Sequence, residues 1–274
     1  MAKVDLSQAV SSNLLTLQRT SSLIADTQTR LSTGLKVNSA IDDAAAFFTA
    51  KALGNNAKDF DALKSNIDLA ISTIQAAIDG IDAISELVNQ AKGLASNAKA
   101  TGNTNERSTL AVQFNELLGQ IDTIANDSSF NGTNLLQATP DNLAVEFNTD
   151  NTSNLTITGL DSTTASTGIN LAAATNNFTD VTAIDTALTA ISAALTSLRS
   201  NASTLGSRNT ILATRLDFTA NLVNTLEGGE GKLTLADLNA ESANLLALQT
   251  RQQLGINSLA LAAQSERSIL ALFG

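Results

Sequence analysis

The stretch "VTAIDTALTAISAALTSLRSNASTLGSRNTILATRLDFTANLVNTL", residues 181–226, decides the fold. Val181, Ile184, Leu188, Ile191, Leu195, Leu198, Ala202, Leu205, Asn209, Leu212, Leu216, Thr219, Val223 and Leu226 follow one another in alternating steps of three and four. All but Asn209 and Thr219 are apolar, and no proline interrupts the run. Such steps place every one of these side chains on one face of a helix. At ~1.5 Å per residue that helix is ~69 Å long, too long for a compact domain. It therefore belongs to a rod, and a seam kept in register over this length packs against other helices.

The first half supplies the partners. Phe60, Leu63, Ile67, Ile71, Ile74, Ile78, Ile81, Ile84 and Val88 advance by three or four each time. Leu110, Phe114, Leu117, Ile121 and Ile124 do so over a shorter helix, and "KATGNTNER", 99–107, is the turn that makes the two antiparallel. The asparagine and glycine of "FNGTNLL", 130–136, are read as ending the shorter helix. Beyond the lone Pro140 the period changes to two. Leu143, Val145 and Phe147, then Leu155 and Ile157, alternate with polar residues across "NTDNTSN", 148–154, which predicts a β-hairpin near 142–158. Residues 161–180, rich in Ser, Thr, Asn and Ala, read as loop. The predicted fold is mainly α: a long antiparallel helical rod or coiled-coil bundle, paired terminal helices and a small β-hairpin at the middle of the chain. Its segments are 1–40, 41–180, 181–234 and 235–274.

At the N-terminal end Val10, Leu14, Leu17, Ser21, Ile24, Gln28, Leu31 and Leu35 fall on the same pattern. At the other end Leu238, Leu245, Leu248, Ile256, Leu259, Leu270 and Phe273 share one helical face, while Leu246, Leu254, Leu261 and Leu272 lie off it. A helix apolar on several sides requires neighbours on several sides. Two terminal helices cover one side of each other, and the remaining apolar surface calls for other molecules.

Composition narrows the function. The chain has no His, Cys, Trp or Tyr, one Pro and one Met, and its 43% hydrophobic residues include only 3% aromatics. The commonest general base and metal ligand is missing, as are thiolate nucleophiles and disulfides. An enzyme is disfavoured and no cofactor is expected. The N-terminus "MAKVDLSQAVSSNLL" lacks a basic region followed by an apolar run, so it is not read as a secretory signal. No window holds ~18 uninterrupted apolar residues, so no membrane-spanning helix is expected. The net charge of −10 is concentrated in residues 101–170, which carry 1 basic and 8 acidic side chains. A phosphate-binding surface has the opposite sign, so nucleic acid is not an expected partner. The nearly neutral ends suit packing among copies.

Between the terminal seam and the rod lies "RLSTGLKVNSAIDDAAAF", 30–47. Its isolated Gly34 makes no phosphate loop. Asp42 and Asp43, about 100° apart if helical, cannot chelate one ion together. The segment reads as a joint between helical layers, with Ser39 and Asp42 as candidate N-caps and both aspartates favouring a helix N-terminus.

This segment resembles the N-terminal block of bacterial flagellins, the subunits of the flagellar filament. "LADLNAESANLLALQTRQQLGINSLALAAQSERSILALF", 235–273, is similar to the matching C-terminal block, and "SSFNGTNLL", 128–136, to a third landmark. The resemblance spans roughly 1–136 and 180–274 and is closest to short alphaproteobacterial flagellins. Arg30, Leu31, Ser32, Gly34, Asn38, Ser39, Asp42, Asp43, Ala44 and Ala45 fit the block, whereas Ile41 and Ala46 stand where many members have a basic residue and glycine.

The resemblance implies that 1–40 and 235–274 form an inner layer, that the long helices surround it, and that large outer domains are missing. It implies a secreted, extracellular structural subunit that polymerises into the flagellar filament for swimming motility. Implied partners are other copies or paralogous flagellins, the flagellar type III export apparatus and an export chaperone, and the hook-associated and cap proteins. Leu14, Leu17, Ile24, Arg30, Leu31, Asp42, Asp43, Leu245, Leu248, Leu254, Leu259, Leu261, Leu270 and Phe273 are the expected filament contacts. Some members carry O-glycans, which points to Ser and Thr in 149–167. Members sensed by the vertebrate innate receptor have an arginine-containing helix where this chain has "ISELVNQAKGLA", 84–95, which implies weak recognition. The rival structural reading is a hook–filament junction protein. A membrane-active helical protein would require basic polar faces and interfacial aromatics, and neither is prominent.

Overall fold

The computed structural model describes residues 8–273, with side chains described for 10–265, 267 and 268. The elements in order are α1 (Gln8–Thr33), α2 (Ala44–Ala100), α3 (Thr104–Asp127), β1 (Ser129–Phe130), β2 (Thr133–Asn134), β3 (Leu143–Glu146), β4 (Asn154–Ile157), a 3-10 turn (Thr175–Phe178), α4 (Val181–Thr234) and α5 (Leu238–Phe273). The two strand pairs, β1–β2 and β3–β4, are separate antiparallel hairpins. The chain divides into two compact units. One is Ala57–Asn224; the other joins the residues up to Asn56 with those from Thr225 on.

In the unit Ala57–Asn224 the seam of α4 behaves as predicted. Ile184, Ile191, Leu195, Leu198, Leu205, Leu212, Thr219 and Val223 are buried, and among the seam positions only Val181 is exposed. The Lys99–Asp185 ion pair, 2.6 Å, joins the end of α2 to the start of α4, so the two helices run antiparallel. A window of α4 reaches a mean hydropathy of 1.4, apolar enough by composition to cross a membrane, contrary to the expectation of no such helix. Its seam residues are instead packed into the helical core.

The pairing seams of α2 and α3 sit one residue away from part of the prediction. On α2 the fully buried line is Ile67, Ala70, Ile74, Ala77, Ile81, Ile84, Val88, Ala91, Ala95 and Ala98, whereas Ile71 and Ile78 pack on its flank. On α3 the buried residues are Ala111, Phe114, Leu118, Ile121 and Ala125, with Leu110, Leu117 and Ile124 beside them. Alanine alternates with larger apolar residues along these fully buried lines. The flanking residues cover the edges of the contact.

The turn between α2 and α3 is Thr101–Asn103. Asn103 caps α3 by accepting from the backbone of Asn105, and Arg107 Nε donates back to the carbonyls of Ala98 and Thr101. Helix α3 ends at Asp127, before the Asn-Gly pair that was expected to end it. Asn131 and Gly132 instead make the β1–β2 turn, with φ of 50° and 81°. Asn with Gly suits this two-residue hairpin turn, which needs positive φ at both positions. The helix end is satisfied by Asn134, whose side-chain amide donates to the carbonyls of Ala125 and Asn126 and accepts from the amides of Leu136 and Gln137.

The predicted β3–β4 hairpin is present, with Val145 and Ile157 buried in the core. The loop that follows is tied to α3. Asp122 accepts from the Thr164 amide and hydroxyl, and Asn115 accepts from the Ala174 amide. Phe178 is fully buried and meets Phe114 edge-on, with ring centroids 5.2 Å apart.

Candidate functional site: the terminal helix pair and its joint

The second unit brings α1 and α5 together as an antiparallel pair. Arg30 Nη1 meets Glu241 Oε1 at 3.3 Å at one end. Further along, Gly255 of α5 lies against Leu17, where an added Cβ would sit 3.2 Å from Leu17 Cδ1. A glycine here permits close approach of the two helices.

The face that α1 turns inward runs through Val10, Asn13, Leu17, Thr20, Ile24, Thr27 and Leu31. The predicted seam agrees at Val10, Leu17, Ile24 and Leu31. At the alternate positions the inward residues are Asn13, Thr20 and Thr27 rather than Leu14, Ser21 and Gln28. Thr20 tolerates burial because its hydroxyl donates to the Thr16 carbonyl one turn back, at 2.9 Å. Leu14 is thereby turned outward, 37% exposed, beside Leu15 and Leu23.

The stripe of α5 on the α1 side is Glu241, Leu245, Leu248, Gln252, Gly255 and Leu259, all half-buried. Ile256, predicted on this face, is 46% exposed and lies off it, and Leu238 is exposed as well. The stripe repeats at 3.5 residues, and Ile256 belongs to the next row of the helix. Leu246, Leu254 and Leu261 project outward with exposures of 67, 64 and 68%. Among the described residues of α5 none is buried. Leu270 and Phe273 lie outside the described side chains.

The expected contact residues therefore divide. Leu17, Ile24, Arg30, Leu31, Leu245, Leu248 and Leu259 lie on the faces that α1 and α5 turn toward each other. Leu14, Leu254 and Leu261 face outward. Sequence periodicity missed Gly255, Thr20, Thr27 and Glu241, because it ranks positions by apolarity and these are small or polar. The signal for Gly255 was a glycine inside an apolar helix, which often marks a close approach.

The joint joins this pair to the long helices. The backbones of Leu35 and Leu235 form an isolated antiparallel bridge, with the Lys36 amide donating to Thr234 O at 2.7 Å and the Ala236 amide to Gly34 O at 2.9 Å. Lys36 Nζ also donates to the Lys232 carbonyl. Gly34 takes a φ of 72°, a left-handed conformation that ends α1.

Asp42 and Asp43 have different tasks. Asp42 Oδ2 accepts from the amides of Asn38 and Ser39, at 3.0 and 2.8 Å, and from the Ser39 hydroxyl. The Ser39 amide, the Asn38 amide, the Ser39 hydroxyl and the more distant Arg30 hold its carboxyl below the usual carboxylate range. The N-cap of α2 is Asp43, whose Oδ1 accepts from the Ala46 amide at 2.9 Å. Neither candidate named from sequence takes that position: Ser39 and Asp42 organise the turn before it. Asp237 caps α5 in the same way. Among the described residues no three acidic side chains converge as a metal site.

Comparisons with known proteins show what the chain is similar to. The model for the bacterial flagellin N-terminal helical region matches residues 5–141, and that for the C-terminal helical region matches 188–273. Flagellin FljM of Caulobacter vibrioides is 35% identical over 261 residues, covering 95% of this chain and 94% of its own. A flagellin of Brucella melitensis is 30% identical over 282 residues, covering 100% and 99%. Among solved structures, a Bacillus cereus flagellin aligns with a TM-score of 0.49 and 21% identity over 56% of this chain and 88% of that one. With both terminal regions matched and relatives similar along nearly their whole length, the chain belongs to the bacterial flagellin family.

Proposed function

We propose that the α1–α5 pair and its joint form the surface through which subunits hold one another in the filament. As a flagellin the chain is a structural subunit of the extracellular helical filament used for swimming. One observation carries the residue-level reading. Helix α5 is long and rich in leucine, yet none of its described residues is buried within the chain. Leu14, Leu15, Leu23, Leu246, Leu254, Ile256 and Leu261 remain on the surface of the same unit. Burying one such side chain fully is worth ~1.5–3 kcal/mol, and that stabilisation becomes available when neighbouring copies cover it.

In this reading the filament contacts are Leu14, Leu254 and Leu261 directly, with Leu270 and Phe273 as further candidates. Leu17, Ile24, Arg30, Leu31, Leu245, Leu248 and Leu259 hold the pair in shape, and Asp42 and Asp43 set the joint. Monomers travel through the flagellar type III export apparatus with an export chaperone. Hook-associated and cap proteins meet the same surfaces at the filament ends. The reading assigns the chain no catalysis.

The test is a chain lacking 245–274. It should keep the helical signal of the Ala57–Asn224 unit and fail to elongate wild-type seeds. Filaments built from the truncated chain would refute the assignment.

A further inference from the structure

An open helical polymer is built from heterologous contacts, in which one patch of a subunit meets a different patch of the next. The terminal unit carries a pair of patches that complement each other. The first is a groove of about 240 Å³ between α1 and α5, lined by Leu17, Thr20, Gly255, Ser258 and the exposed Arg251, with the outward Leu254 at its rim. Gly255 meets Leu17 at its floor, where an added Cβ would sit 3.2 Å from Leu17 Cδ1. The second is Ile41 in the joint, 96% exposed and the most exposed large apolar residue among those described. The hydrogen bonds that Asp42 accepts from Asn38 and Ser39 keep its turn ordered.

Charge also matches. Helices α1 and α5 carry Arg19, Arg30, Arg251 and Arg267 against Asp26, Glu241 and Glu266, a net of +1 in a chain of −10. The joint, 34–43 and 235–237, carries Lys36 against Asp42, Asp43 and Asp237, a net of −2. An apolar knob next to carboxylates thus complements a groove with apolar walls next to a guanidinium.

We infer that in the filament the Ile41 knob of one subunit seats in the Leu17–Gly255 groove of another, with Asp43 beside that subunit's Arg251. This rests on the assembly reading above and names its docking partner, a second copy of this chain. Leu17 and Thr20 precede the end of α1 at Thr33 by 16 and 13 residues. That is ~20–24 Å along the helix at ~1.5 Å per residue, so groove and joint lie at separate places on the subunit and the docked copies are offset from each other.

The chain has no cysteine, which makes a cross-linking test clean. Single variants Ile41→Cys and Ser258→Cys are mixed in equal amounts, elongated from wild-type seeds under reducing conditions and then oxidised. Both positions are exposed, so neither substitution disturbs the monomer. The expected result is a disulfide-linked dimer in the mixed filaments, at least several-fold above that from either variant alone and missing from the unpolymerised mixture. Ile41→Lys should in addition raise the critical concentration about tenfold or more. Filaments that yield no dimer above the single variants, or a dimer formed equally in dilute monomer, overturn the inference. Failure of the wild-type chain itself to polymerise strikes the assembly reading instead.

Discussion

Asp42 shows how one carboxylate organises a joint. Its oxygen gathers two amides and a hydroxyl from Asn38 and Ser39, and these donors favour the ionised form. A carboxyl whose folded pKa is depressed contributes stability above its ordinary value, 3.8 here, and loses it as pH falls through the lower folded value. Wild-type chain and Asp42→Asn should therefore differ in thermal midpoint most at neutral pH. The gap should close in acid below the ordinary carboxylate range, as circular dichroism melts across pH would record. A gap that widened toward acid would contradict the role given to Asp42. Its neighbour does something else: Asp43 caps α2. Sequence alone identified the joint but offered Ser39 and Asp42 as its caps, because Ser, Asn and Asp all favour helix starts and turns. Only the backbone path decides which of them stands at the first turn.

Among the elements, α4 was the most legible from sequence, since a 3–4 alternation this long admits one face. The β3–β4 hairpin was legible too, because its period of two breaks sharply with the helices around it. The seams of α1, α2 and α3 were displaced by one residue at alternate positions. At most of them the inward residue is alanine, threonine or asparagine, and on α2 the larger Ile71 and Ile78 flank the contact. Apolarity identifies a helix face within about one residue; side-chain volume decides which row of that face touches the partner. Asn209 is one of two polar residues on the α4 seam. Its Oδ1 is buried without a hydrogen-bond partner, which costs about 1–3 kcal/mol. Replacing it with leucine should raise the thermal midpoint of the monomer, corresponding to ~1 kcal/mol or more. Polar seam residues are used to specify register, so the same variant should also tolerate register errors, seen as broadened amide signals in the Ala57–Asn224 unit. An unchanged or lowered midpoint would show that the asparagine is satisfied or that leucine does not fit.

At the scale of the whole molecule, the two units differ in how much they bury. The unit Ala57–Asn224 encloses a continuous apolar core running through α2, α3, α4 and the β3–β4 hairpin. The terminal unit has few fully buried residues and many exposed leucines. Repeated apolar residues on several faces made this legible in the sequence, as an excess of surface that one chain does not cover. The faces chosen for internal pairing were not legible, because they depend on Gly255 and on buried threonines. The account rests on a terminal unit that is completed by its neighbours. Hydrogen exchange read by mass spectrometry, on dilute monomer and on filaments of the same chain, tests this most directly. Peptides from α1 and from α5 up to residue 265 should exchange quickly in the monomer and be protected at least about a hundredfold in the filament. Peptides from 57–224 should be protected in both. Equal protection of α1 and α5 in dilute monomer and filament would contradict the account.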